Sequence, residues 1–282
     1  MGQVVPGSSD EHDIDAALLE WRQGDCALEE QWFAHVADGT RALTEEGGQA
    51  NETLYIAQYE GLEGLVLVTQ TCDVVRNCLK RPYVEVAPIV TVSEADYRLI
   101  ERGHRPNYAP IPALADRLLV ADLDRTMTVE KSVVATWNRT PGWQTDAEAR
   151  VFAQALARKR ARPAFPDDFV AMLERLDKRI REKHDRQSPE GAALRALREI
   201  RVRAAPDWSA ETVHVTFWFI LADEGPSPPN DSQLQAWLDL VEKSERYQPV
   251  EGLLVTLDDM TARDFIESDL LDFDHLSNRT AD

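Results

Sequence analysis

Apolar residues fall in short blocks in the first half of the chain and at helical spacing further on. Leu54-Tyr55-Ile56-Ala57, Leu65 to Val68 and Tyr83-Val84-Glu85-Val86-Ala87 are separated by Gly47-Gly48, by Gly61 and Gly64, and by Arg81-Pro82. Short runs divided by turn residues predict a small antiparallel sheet or barrel. Leu65 to Val68 is apolar without a break, as in a strand covered on both faces. Ahead of these blocks, Ile14, Leu18 and Leu19 predict a short helix, which Gln23-Gly24-Asp25 ends. Ser93 followed by Glu94 and Asp96 predicts a capped helix start, and Leu118 to Leu123 predicts another strand. Residues 124–145 are polar, with Trp137, Trp143 and Pro141-Gly142 in a structured loop.

From Asp146 to about Arg203 the spacing is helical. Val151, Phe152, Ala155 and Leu156 form one stripe, and Phe169, Met172, Leu173, Leu176 and Ile180 form a second. Ser188-Pro189-Glu190 predicts a third helix start, with Leu194, Leu197 and Ile200 continuing the stripe. Residues 213–221 then alternate, with Val213, Val215, Phe217 and Phe219 on one face and His214, Thr216 and Trp218 on the other. A helix through Leu234, Trp237, Leu238 and Val241 and a strand at 252–257 follow, the order of a parallel βαβ unit. Thr261 predicts a cap for a short helix, and residues 269–276 form an acidic, leucine-bearing end. The fold class expected is α+β. Behind a flexible tail (1–9) come a small β-barrel-like module (10–145), a basic helical segment (146–203) and a small acidic α/β module (204–282).

Charge sharpens this division. The net charge is −19, a balance that repels nucleic acid and anionic lipid. Residues 150–203 nevertheless carry 15 basic and 8 acidic side chains, between two flanks that are each at −13. Arg158, Lys159, Arg160 and Arg162 are the densest basic cluster and a candidate docking surface. The plain reading is a solvated helical face balanced by carboxylates elsewhere in the chain, and the sharper one is a surface that docks an acidic protein partner. Without interleaved aromatics the cluster is weak evidence for nucleic acid, and RNA binding through residues 150–203 stands as a third reading, marked by a steep loss of affinity with salt. No apolar run of about 18 residues occurs, so no membrane span is expected. Three sparse cysteines and a start without signal-peptide features lead to the expectation of a reduced, cytoplasmic protein.

Candidate chemistry centres on Thr69-Gln70-Thr71-Cys72-Asp73, where a strand runs out into polar and reactive side chains. This corner is either a ligand pocket, a rigid turn, or an active site with Cys72 and Asp73 as catalytic candidates. A nucleophilic cysteine needs a nearby cation, histidine or helix N-terminus. Asp73 works against a thiolate, and His35 or His104 could approach only through the fold. The spacing of Cys72 and Cys78 does not match zinc ligation, the histidines form no pair three or four residues apart, and no nucleotide-binding glycine loop occurs. Neither metal nor cofactor is expected. Oligomeric state is not legible.

Two resemblances rest on particular residues. Gln23-Gly24-Asp25, Gly64 to Thr69 and Tyr83 to Ile89 resemble, in order, the strands of PemK/MazF-type toxins, which implies an SH3-like barrel and RNA cleavage. The Arg-Pro that precedes the central strand in that family is here Glu63-Gly64, and Thr91 lies near the family's Thr/Ser position. The larger pattern of QGD, TQTCDV, RPAFPDDF (162–169) and DLLDFDHLS resembles uncharacterised bacterial proteins, some of them beside mobile-element or phage-defence genes. This second resemblance implies a bacterial cytoplasmic setting and carries no assigned activity. The function expected is a non-catalytic interaction or sensing subunit of a bacterial intracellular system, with anti-phage defence as one setting. The alternative is a hydrolase or nuclease centred on Cys72 and Asp73.

Overall fold

In a computed structural model, residues 8–49, 52–101, 103, 105–161, 164–222 and 228–271 are described. The chain divides into two compact units, Met1–Ala161 and Arg162–Asp282. The expected basic segment 146–203 is therefore shared between the two.

The first unit contains α1 (Ser8–Leu18), β1 (Cys26–Ala27), β2 (Trp32–Ala37), β3 (Tyr55–Glu60), β4 (Gly64–Leu67) and α2 (Thr71–Val74). It continues with β5 (Tyr83–Thr91), α3 (Glu94–Glu101), β6 (Tyr108–Pro110), β7 (Leu119–Asp122), β8 (Met127–Glu130), α4 (Lys131–Val134) and α5 (Asp146–Arg160). Its main sheet has the order β1-β4-β5-β7-β6, with β8 also on β5. β2 and β3 pair only with each other, as a separate antiparallel ribbon.

β5 organises this sheet. One edge pairs with β4, while the other pairs first with β8, over Tyr83–Val86, and then with β7, over Ile89–Thr91. Pro88 lies where the partner changes. The carbonyls of Glu85 and Ile89 accept from Val68 and Glu63 on the β4 side, so the even-numbered groups face β8 and β7. The missing N–H of Pro88 therefore falls at the gap between two ladders, where a central strand tolerates it.

The unbroken apolar run of β4 is covered on both faces, as its pattern predicts. Val66 and Val68 pack with Ala87, Ile89 and Ala121 under Phe152, Ala155 and Leu156 of α5. Leu65 and Leu67 pack on the opposite face with Val84, Val86, Leu18, Trp21 and Val134. The expected barrel is not formed: the sheet is open, ending at β1 and β6. β1 has only two paired residues, and Cys26 bridges to Thr140 rather than to a closing strand.

The second unit holds α6 (Asp167–Lys183), α7 (Pro189–Arg195), β9 (Leu197–Ala205), β10 (Val213–Leu221), α8 (Asp231–Leu238), β11 (Tyr247–Val255), α9 (Ala262–Ile266) and β12 (Asp269–Leu270). The sheet order is β11-β10-β9-β12, and β10 and β11 are parallel across α8, as expected of a βαβ unit. Val213, Val215, Phe217 and Phe219 are fully buried against α6 and α8, while His214, Thr216 and Trp218 lie on the half-open face. Phe169 anchors this core, with its ring 4.7 Å from Trp208 and 5.4 Å from Tyr247. The third helix is shorter than its stripe predicts. It stops at Arg195, and residues 197–205 become β9, with Ile200 and Val202 buried opposite Phe219 and Phe217. Leu197 and Ile200 fit a helical stripe, but Ile200, Val202 and Ala204 also alternate, and pairing with β10 selects the strand.

Phe217→Ala removes a fully buried ring from the middle of this core. The expected cost to the second unit is about 3–5 kcal/mol, read as an earlier denaturant midpoint for that unit's transition. A shift below about 1 kcal/mol would place the core elsewhere.

Candidate functional site

The corner at the end of β4 is held from three sides. Gln23 donates its backbone N–H to Thr71 Oγ1 (3.0 Å) and its side-chain amide to the Val68 carbonyl (2.7 Å). Gly24 N–H donates to the Leu67 carbonyl, and Leu67 N–H donates to that of Asp25, both at 2.8 Å. Thr69 Oγ1 accepts the Glu85 N–H (2.6 Å), which ties the corner to β5. Thr69 and Thr71 thus accept backbone N–H groups from β5 and from Gln23.

Behind the corner lies Asp25, whose side chain is wholly buried. It accepts from Arg139 (2.8 Å), the Arg22 N–H (2.8 Å) and the Gly142 N–H (3.3 Å). A buried carboxylate persists only when its lone pairs are met in this way. The Trp143 indole N–H donates to the Gln23 carbonyl (2.7 Å), and Arg22 lies over the Trp143 ring at 4.0 Å. Gly24 has φ +93°, and a Cβ on Gly142 would overlap the Gly24 carbonyl. The two backbones meet because Gly142 lacks a side chain, while Gly24 supplies the positive φ and leaves room for the Trp143 and Phe152 rings. Gln23-Gly24-Asp25 and Arg139 to Trp143 form one cross-link with the TQTCD corner.

A second clamp closes the far side. Lys131 is buried, and its ammonium donates to the carbonyls of Asp73 (2.8 Å) and Arg76 (2.6 Å) at the end of α2. A cation at a helix C-terminus meets both the free carbonyls and the dipole. Asp15 accepts from the Cys78 N–H (2.8 Å) and from Asn77 (3.0 Å), fixing the next turn. Burial pulls the Lys131 ammonium below its ordinary value of 10.5, against the opposing pull of Asp15.

Cys72 and Asp73 point outward. Cys72 is exposed, with its thiol 3.7 Å from Gln70 Oε1, and Asp73 is half-exposed, 3.5 Å from Arg76. No hydrogen bond or ion pair among the described residues joins either one to a histidine; His35 stacks on Phe33, and His104 lies outside the described residues. Cys26, by contrast, is buried, and burial together with Asp25 drives its thiol pKa far upward. Among the described residues no group of three or more His, Cys, Asp or Glu could hold a metal ion, and no helix is long and apolar enough to cross a membrane.

The basic cluster is partly neutralised within the first unit. Lys159 pairs with Asp124 and Arg160 with Glu85, while the Arg158 guanidinium lies against Gly103. Arg162 lies outside the described residues. Sequence reasoning noticed Gln23-Gly24-Asp25 and Pro141-Gly142 but had no signal linking them, and it gave Lys131 no role.

Thiol labelling separates the cysteines. Cys72 is expected to react in the native protein, and Cys26 and Cys78 only on unfolding; protection of native Cys72 would contradict the exposed corner. Lys131 supplies a pH test. Its folded-state pKa is lowered, so the unfolded chain holds that proton more tightly and stability rises as pH climbs toward 10.5. Lys131→Met removes this rise, and the stability difference between wild type and variant should shift in favour of wild type with increasing pH. A flat difference would mean that the ammonium is not desolvated. No family model matches the chain, and neither does any curated protein.

Proposed function

We propose that the chain is a non-catalytic interaction or sensing subunit of a bacterial intracellular system, with anti-phage defence as its setting. The observation that carries this reading is the β2–β3 ribbon, which leaves Val36 and Ile56 exposed side by side at 65% and 72%. An isolated domain gains nothing from a paired aliphatic surface in water, whereas a partner protein covers it. The corner supports the same reading, because Thr69, Thr71 and the Asp73 carbonyl hold chain to chain. The bacterial and defence setting rests on the resemblance to the QGD and TQTCD proteins. The alternative, a hydrolase or nuclease centred on Cys72 and Asp73, draws on the exposure of Cys72.

The two readings separate in phage plating on a bacterial host that carries the chain with its neighbouring genes. Cys72→Ser and Asp73→Asn are expected to leave protection intact, and the pair Val36→Ser with Ile56→Ser to abolish it at unchanged thermal stability. Loss of protection with Cys72→Ser alone would favour the enzyme. Absence of protection from the wild-type chain would remove the defence setting.

A further inference from the structure

The β2–β3 ribbon is apolar on its inner face and at one end of its outer face. Its register places Phe33 opposite Tyr59 and His35 opposite Ala57 on the inner face, where Phe33 and Ala57 are buried. Arg125 lies over the Phe33 and Tyr59 rings, and the Ala34 N–H donates to Met127 Sδ, so the inner face rests on the first unit. The outer face sets Val36 opposite Ile56, Ala34 opposite Gln58 and Trp32 opposite Glu60; Trp32 packs on the unit's own core, which leaves the Val36–Ile56 end open. Leu54, 75% exposed, continues the alternation of Ile56, and the fully exposed Leu43 follows Ala42 on the loop folded over Ala37 at the same end. Single exposed aliphatics are ordinary on protein surfaces. A cross-strand aliphatic pair continued by Leu54, at one end of the outer face, is more than scattered single exposures and has the form of a small covered patch.

Charge identifies what would cover this face. Residues 29–60 carry seven carboxylates and one cation, Arg41. Elsewhere in the first unit carboxylates meet cations, as in Asp25 with Arg139, Asp122 with Arg125, and Glu63 with Arg117. None of the seven forms an ion pair among the described residues. Asp38 and Glu30 accept instead from neutral donors, Thr40 and Trp32, which leave their charge in place. An aliphatic patch on a segment of such uncompensated negative charge repels phosphate backbones and anionic lipid at contact distance, within the roughly 8 Å Debye length at physiological salt. It also disfavours a second copy, whose ribbon segment carries the same charge. A basic surface with aliphatic side chains gains on both terms.

We propose that the outer face of the β2–β3 ribbon docks a basic, aliphatic-bearing segment of a partner protein, with Val36, Ile56 and Leu54 taking its aliphatic side chains and the carboxylates of residues 29–60 drawing its lysines or arginines. This inference rests on the interaction reading above and adds the chemistry of the partner.

The test uses the full chain and three labelled peptides followed by fluorescence anisotropy. The first is an amphipathic peptide with a leucine stripe and a lysine face; the second has glutamate for lysine, and the third serine for leucine. The leucine–lysine peptide is expected to bind, weaken at least tenfold between 0.05 and 0.5 M salt, and weaken at least tenfold on Val36→Ser with Ile56→Ser. Both substitutions are on exposed side chains, and circular dichroism checks that the fold is kept. The serine–lysine peptide is expected to bind at least tenfold more weakly than the leucine–lysine peptide. Equal binding of the serine–lysine peptide would reduce the effect to non-specific attraction and overturn the proposal. Equal or tighter binding of the leucine–glutamate peptide, lost in the ribbon variants, would overturn the basic chemistry and leave the interaction reading standing. Binding of the leucine–lysine peptide that ignores the ribbon variants would overturn the docking face. Sedimentation that gives a dimer abolished by Ile56→Ser would replace the proposed partner with a second copy. Absence of binding by every peptide at millimolar concentration, with ribbon variants that keep phage protection, would end both the proposal and the interaction reading.

Discussion

The wholly buried carboxylate of Asp25 is the constraint on which the first unit turns. A charge in that position is tolerated only if every acceptor site is met, and its donors come from two distant stretches, Arg22 on one side and Arg139 with Gly142 on the other. To bring those donors in, the Gly24 and Gly142 backbones touch, which excludes a side chain at Gly142, while the φ of +93° favours glycine at position 24. Beside them Gln23 donates to the Val68 carbonyl and to Thr71, which holds the end of β4. The turn bearing Cys72 rests on these contacts together with its own backbone bonds, from Asp73 and Val74 to Gln70 and from Val75 to Thr71.

The corner therefore reads differently from inside and outside. Its inner groups, Thr69, Thr71 and the carbonyls of Asp73 and Arg76, are taken up by β5, Gln23 and Lys131. Its outer groups, Gln70, Cys72 and Asp73, are presented on a rigid base with Arg76 beside them. Such rigidity suits a fixed landmark on a surface as well as it suits a reaction centre. The distinction between the two lies in what approaches from solvent.

Much of the fold was legible because period and burial agreed. β4 is apolar without a break and is covered on both faces. β10 alternates and is covered on one. α6 carries its five apolar positions at helical spacing between an acidic start and a basic end. The misses share a cause. β9 holds a pattern that fits both helix and strand, so a neighbour had to choose. The barrel was expected from strand order, but closure depends on whether terminal strands meet, and β1 turns to Thr140 instead. Lys131 was invisible because a buried lysine looks in sequence like any exposed one, and only the carbonyls gathered around it reveal its place. The corner was found by its composition, whereas the Asp25 network beneath it joins residues more than a hundred positions apart.

That separation bears on how the chain emerges from a ribosome. The Asp25–Gly142 contact spans 117 positions and the Trp143–Gln23 contact 120. β4 and β5 can pair early, since their residues are neighbours in the chain, and Gln23 to Ala27 can join β4 soon after, through Leu67, Val68 and Thr71. Arg139 and Gly142, the remaining donors to Asp25, arrive last. At roughly 5–20 residues per second, the carboxylate waits on the order of ten seconds for them, with only the nearby Arg22 N–H to meet it. The first unit thus closes over strands already paired, and its buried charge is the last group to be satisfied.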